Sequence, residues 1–224
     1  MIAGILTDIE GTTSSLSFVR DVLFPYARTA LPGFVAQHGT EPAIRALLEE
    51  ARASGQLAAD AADAALVRLL QDWIDQDLKL SALKGLQGHI WQQGYESGAF
   101  AGHVYEDAAR ALRRWHHEGL RLQVFSSGSV AAQRLLFRHS CCGNLESLFS
   151  GFFDTRTGTK RSPEAYRAIV AASELEPRQW LYLSDVAEEL TAAKTAGLQT
   201  VLVDRTQVLP VSAGCVHDFQ GIRW

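Results

Sequence analysis

The chain has 224 residues, 47% hydrophobic and 21% charged, enough apolar material for one sizeable α/β domain, or a core with a smaller insert, that needs no metal or disulfide to fold. A net charge of −4 argues against a nucleic-acid surface, and Arg110, Arg113 and Arg114 read as the solvated face of a helix. Three cysteines, Cys141, Cys142 and Cys215, without C-x-x-C spacing fit a reducing compartment better than a disulfide framework and suggest no zinc site.

The first eight residues, Met1 to Asp8, lack a basic region and meet an acid at once, so a signal peptide is not expected. No uncharged apolar run approaches the length that spans a bilayer. The expected location is therefore cytoplasmic, with no membrane partner.

Ile2 to Leu6 reads as a buried strand, closed by Thr7-Asp8 and then Gly11. Residues from about Ser17 to Gly102 are poor in strand signals and carry helical stripes, Ile44, Leu47, Leu48 and Ala51, then Leu66, Leu69, Leu70, Trp73 and Ile74. The alanine-rich stretch 58–65 also suits a helix. We expect residues 17–102 to be a helical cap inserted into an α/β catalytic core made of residues 1–16 and 103–224. The hinges fall near Thr12–Ser17 and Gly98–Gly102; the alternative is that these helices complete the core.

Ala108, Ala111, Leu112 and Trp115 predict a helix ended by Gly119, followed by a strand over Leu120–Phe125. Val130–Phe137 is read as a helix, another begins at Pro163, and a third over Ala187–Ala196 closes at Gly197. Between them Trp180–Leu183 and Gln199–Val203 are read as strands. Strands alternating with helices predict a Rossmann-like parallel sheet.

In such a sheet, ligands bind beyond the carboxyl ends of the strands, where Asp8, Ser126 and Asp185 fall; Lys160 lies in a loop ahead of a helix, and all four are expected to converge on one crevice. Asp8 and Glu10, two residues apart in a strand-to-loop turn, can act as nucleophile and as acid/base; turn acids would look the same. Ser126 offers a hydroxyl and a backbone N–H to a phosphoryl oxygen, unless Ser126 or Ser129 merely caps the next helix. Lys160 can neutralise a phosphoryl group and hold Asp8 ionised, though a loop lysine is usually solvated. Asp185, with Glu188 and Glu189, forms an oxygen site suited to Mg²⁺, or else favourable charge in a helix's first turn.

That order resembles the haloacid dehalogenase-like phosphatases, and within them the enolase-phosphatases of methionine salvage. The resemblance is carried by Asp8-Ile9-Glu10-Gly11-Thr12-Thr13, Phe18 to Tyr26, Leu83 to Trp91, Gly94 to Gly98, Ser126 to Ser129, Phe153-Asp154-Thr155 with Gly158 and Lys160, and Ser184-Asp185-Val186. It implies that Asp8 accepts the phosphoryl group and that Glu10 is the acid/base, with Mg²⁺ held by Asp8, Asp185 and the Glu10 carbonyl. Ser126, Ser127 and Lys160 would bind the phosphoryl group, and Glu189 would orient metal-bound water. The implied substrate is 2,3-diketo-5-methylthiopentyl 1-phosphate, enolised and then dephosphorylated to the acireductone, with the block 84–98 closing over its methylthio tail. The enolisation base stays unassigned, with Glu10 a candidate. The expected state is a monomer acting on a small phosphorylated molecule. Where the family is expected to carry Arg-Pro-Gly after the last strand, this chain has Val203-Asp204-Arg205, a departure expected to lie away from the chemistry.

Three alternatives remain: a phosphatase of the same superfamily acting on another ester, a hydrolytic dehalogenase, and a non-catalytic scaffold.

Overall fold

The first apolar run forms β1, Gly4–Thr7, in the computed structural model, which describes residues 1–58, 61–212 and 214–223. Gly4 lies so close to the Trp180 indole that an added Cβ would fall 2.6 Å from it. Further along the chain come β2 (Arg121–Phe125), β3 (Gly151–Phe153), β4 (Trp180–Ser184), β5 (Gln199–Val203) and β6 (Cys215–Val216). Among the described residues these make one parallel sheet in the order β3-β2-β1-β4-β5-β6. The sequence-based strands match β1, β2, β4 and β5 to within two residues at either end. The two edge strands, only three and two residues long, carry no pattern that marks them out.

This strand order places the topological switch between β1 and β4, because the chain moves outward to β2 and β3 before returning to the other side of β1. Thr7 pairs with Val124 on one neighbour and with Leu183 on the other, so the residues after all three strands emerge at one edge.

Contacts divide the chain into two units, Met1–Leu16 with Ala101–Trp224, and Ser17–Phe100. In the first, Leu6, Phe125, Trp180 and Tyr182 of the sheet pack against Tyr166 and Ile169 of one helix and Ala192 and Ala193 of another. These helices span Pro163–Ala171 and Ala187–Thr195. The helix Glu106–His117 opens on Glu106 and Asp107 and carries Arg114 in its last turn, charges that suit its dipole. Its Trp115 stacks on Phe219 at 5.6 Å. A further helix of this unit is Val130–Arg138.

The second unit is helical. A π-helical turn over Val19–Leu23 leads into Phe24–His38, followed by Pro42–Ser54, Asp63–Asp75 and Ser81–Glu96. Leu31, Leu66, Leu70 and Leu86 are fully buried, and Trp91 donates its indole N–H to the Leu23 carbonyl at 2.8 Å. In the alanine-rich stretch Asp63, Ala64 and Ala65 are helical, whereas Ala58, Ala61 and Ala62 are not; Ala59 and Asp60 lie outside the described residues. Leu83, Leu86, Ile90, Trp91 and Tyr95 are also buried, so much of the 83–98 block serves packing.

All three cysteines are free thiols. Among the described residues no helix is long and apolar enough to cross a membrane.

Candidate active site

Asp8 is the first residue beyond β1, and its N–H still donates to the Leu183 carbonyl at 2.9 Å, so the ladder fixes its backbone. The loop then winds tightly: the N–H groups of Thr12, Thr13 and Ser14 all point at the Ile9 carbonyl, and the Thr13 hydroxyl donates to the Asp8 carbonyl at 3.1 Å. Gly11 sits at φ +78°, and an added Cβ would fall 2.1 Å from Asp185 Oδ2. Two constraints, backbone sign and space, therefore select glycine here. Gly11→Ala should cost about 1–2 kcal/mol from the left-handed backbone alone. Because the methyl group would also displace the Asp185 carboxylate, the melting temperature is expected to fall by more than the backbone cost alone; a fall no larger than that would show that the close contact is not needed.

Asp8 is 4% exposed. Its Oδ1 accepts from the Ile9 N–H and from Lys160 Nζ, both at 2.7 Å. Burial pushes its carboxyl up to about 7; the Lys160 ammonium pulls the other way and the Glu189 carboxylate adds to the rise. Lys160 is itself buried, its Nζ also 2.7 Å from Glu189 Oε2. Burial draws the ammonium down, but the two carboxylates outweigh it and hold Lys160 above its ordinary value. The loop lysine is thus an internal counter-ion rather than a solvated side chain.

Glu189 Oε2 also accepts from the hydroxyls of Tyr182 at 2.8 Å and Ser184 at 2.9 Å. These bonds give Glu189 a task absent from the sequence reading, which had it orienting metal-bound water: it fixes the far side of Lys160. Glu188, one residue earlier, is exposed.

Asp185, the first residue after β4, is half-buried, and burial raises its carboxyl. Its N–H donates to the Thr12 hydroxyl at 3.1 Å, and that hydroxyl lies 3.5 Å from Asp185 Oδ1. Thr12 thereby couples the loop after Asp8 to the end of β4. Glu10 is half-buried in the same loop, where it forms a bridge with Ser14.

Ser126 is buried at the end of β2, one position past the level of Asp8. Its N–H is not available to a ligand as expected: it donates to the Phe153 carbonyl at 3.1 Å, prolonging the β2–β3 ladder. Its Oγ accepts from the Gly128 N–H at 3.2 Å. Ser127 is exposed, and Ser129 is the helix cap, accepting from the Ala132 N–H at 3.3 Å. Gln133 steadies this loop by donating to the carbonyls of Gly128 and Phe153, both at 2.8 Å.

One residue near the site was misjudged from sequence. Arg205, expected to lie away from the chemistry, donates from Nε and Nη2 to the Thr12 carbonyl at 3.0 and 2.8 Å. Applying the strand-end rule to β5, as to the other strands, would have placed it at this edge.

The structure therefore joins Asp8, Lys160 and Glu189 directly and ties Asp185 to the Asp8 loop through Thr12. Among the described residues no group of three or more His, Cys, Asp or Glu side chains could hold a metal ion. Asp8 and Asp185 nevertheless supply all-oxygen donors from neighbouring strands, with the Glu10 carbonyl between them in sequence. This set fits Mg²⁺, which commonly binds one or two carboxylates, keeps several waters and accepts substrate phosphate oxygens.

Residues 2–197 match a family model described as haloacid dehalogenase-like hydrolase. The chain is 54% identical over 201 residues to enolase-phosphatase E1 of Thioalkalivibrio sulfidiphilus, covering 90% of this chain and 89% of the relative. It is 52% identical to the enolase-phosphatase E1 of Methylococcus capsulatus, covering 92% and 90%. Among solved structures, the UTR4 protein of Saccharomyces cerevisiae superposes with a TM-score of 0.83 at 31% identity, covering 99% of this chain and all of that one.

Proposed function

Since the chain belongs to the haloacid dehalogenase-like hydrolases, and within them to the enolase-phosphatase family of phosphatases, we propose that it dephosphorylates its substrate through a phosphoryl group carried on Asp8. The observation that carries this reading is the buried contact of Lys160 with Asp8 on one side and Glu189 on the other. A fixed cation there supports the reading, because it suits a carboxylate proposed to act as nucleophile, whose charge would rise and fall during phosphoryl transfer.

In the first half-reaction Asp8 attacks phosphorus, the bond from phosphorus to the substrate oxygen breaks, and Glu10 gives that oxygen its proton. In the second, Glu10 takes a proton from water, the water oxygen attacks the aspartyl phosphate, and phosphate leaves with Asp8 restored. Lys160 offsets negative charge throughout, and the hydroxyl of Ser126 binds a phosphoryl oxygen, with Ser127 at the loop's outer side. Asp8, Asp185 and the Glu10 carbonyl would hold Mg²⁺, whose chemistry there is to neutralise phosphoryl charge and to polarise a substrate carbonyl.

The proposed substrate is 2,3-diketo-5-methylthiopentyl 1-phosphate, enolised before dephosphorylation to the acireductone. Support for it comes from the names of the relatives and from the motifs in residues 83–98. The helical unit is assigned the role of a cap that excludes water from the bound tail. The working form is proposed to be a cytoplasmic monomer.

The test is phosphate release from that substrate with and without Mg²⁺, with acireductone followed in the same sample. Metal-dependent appearance of both products is expected. Hydrolysis of generic phosphate esters alone would leave the phosphatase standing and remove the substrate.

A further inference from the structure

We propose that Arg205 is a positioning residue for the divalent-cation site, acting on Asp185 through Thr12; the inference rests on the metal-dependent phosphatase reading above. Arg205 follows β5, with only 11% of its side chain exposed. Nε and Nη2 grip the Thr12 carbonyl, while Nη1 donates to both oxygens of Asp107 at 2.9 and 2.8 Å. The guanidinium lies over the Tyr105 ring at 4.1 Å and near the Phe219 ring at 5.2 Å. Asp107 is held in turn by the Phe219 N–H at 2.9 Å. A planar fork clamped on both edges and covered by rings has one orientation, which a lysine's single ammonium would not reproduce.

What the fork holds gives the residue its significance. The Thr12 carbonyl and hydroxyl belong to one residue, and the hydroxyl is the partner of both the Asp185 N–H and its carboxylate. Arg205 therefore fixes the residue that aims Asp185, in the loop where Gly11 leaves no room for a side chain beside the same carboxylate. A structural account alone would have the Arg205–Asp107 pair merely fasten the segment around Phe219 to the helix Glu106–His117. Such a fastening would affect stability and leave metal affinity unchanged.

The two accounts separate by calorimetric titration of Mg²⁺ into substrate-free protein. Outer partners of metal ligands commonly change affinity by about tenfold or more, so Arg205→Lys is expected to weaken Mg²⁺ binding by about tenfold. Thr12→Val, which keeps the carbonyl and loses the hydroxyl, is expected to weaken it similarly. The double variant should bind no more weakly than Thr12→Val alone, because the two residues act in series. If Arg205→Lys does not fold, Asp107→Asn loosens the same fork and is expected to lower Mg²⁺ affinity in the same direction. A folded Arg205→Lys or Asp107→Asn protein with wild-type Mg²⁺ affinity would overturn the proposal, as would additive losses in the double variant. Wild-type protein that binds no Mg²⁺ would instead remove the metal-dependent reading on which the proposal rests.

Discussion

Asp8→Asn gives a folded protein whose turnover drops by at least about 10⁴-fold, the scale seen when a catalytic nucleophile is removed. An amide in the same place is too weak a nucleophile to attack phosphorus. The fold is expected to survive for a reason visible in the site. Burial already pushes the Asp8 carboxyl up to about 7, so its charge is costly where it stands. Removing that charge leaves Lys160 still paired with Glu189 at 2.7 Å. The melting temperature of the metal-free variant should therefore equal or exceed that of the wild type. Phosphate release by the folded variant at the wild-type rate would remove Asp8 from the chemistry.

Lys160→Met should fail in both respects, because it removes the cation between two buried carboxylates. Uncompensated buried charge of this kind typically costs about 3–5 kcal/mol, which a shifted urea midpoint would report. Activity is expected to fall by about 10²–10³-fold with the loss of a fixed positive group at the phosphoryl site. The two losses can be separated. Adding Glu189→Gln removes one of the stranded carboxylates and should recover much of the stability with none of the activity. A Lys160→Met protein as stable as wild type would mean that the three-group network is not what holds this part of the core.

The parts of the fold legible in the sequence were those with local causes. The four longer strands were found because apolar residues dominate them and Asp, Ser or Gly punctuates their ends. Gly119 and Gly197 marked helix ends and do adopt φ of +85° and +95°. Strands β3 and β6 were missed because two or three residues are too few for any periodicity to show. In the site, the positions of Asp8, Ser126 and Asp185 past strand ends were legible because parallel topology alone brings strand ends together, whereas Lys160 was read only as a residue of a loop ahead of a helix. Their partners were not. Lys160 meets Asp8 across more than 150 positions, and Arg205 reaches Thr12 across 193, separations with no local signature. The Ser126 N–H was read as free because β3, which accepts its hydrogen bond, was itself invisible. Glu189 came into view as part of the acidic cluster after β4 and through the resemblance, but its partners Tyr182 and Lys160 were not legible.

The most direct test of the central claim is to find the phosphoryl group on the protein. Enzyme turning over substrate is quenched and treated with borohydride, which reduces an aspartyl phosphate to homoserine, and the peptide containing position 8 is examined by mass spectrometry. The account predicts homoserine at position 8 in samples that received substrate and none in those that did not. Sustained turnover with position 8 unmodified, or with the modification on a different carboxylate, would contradict it.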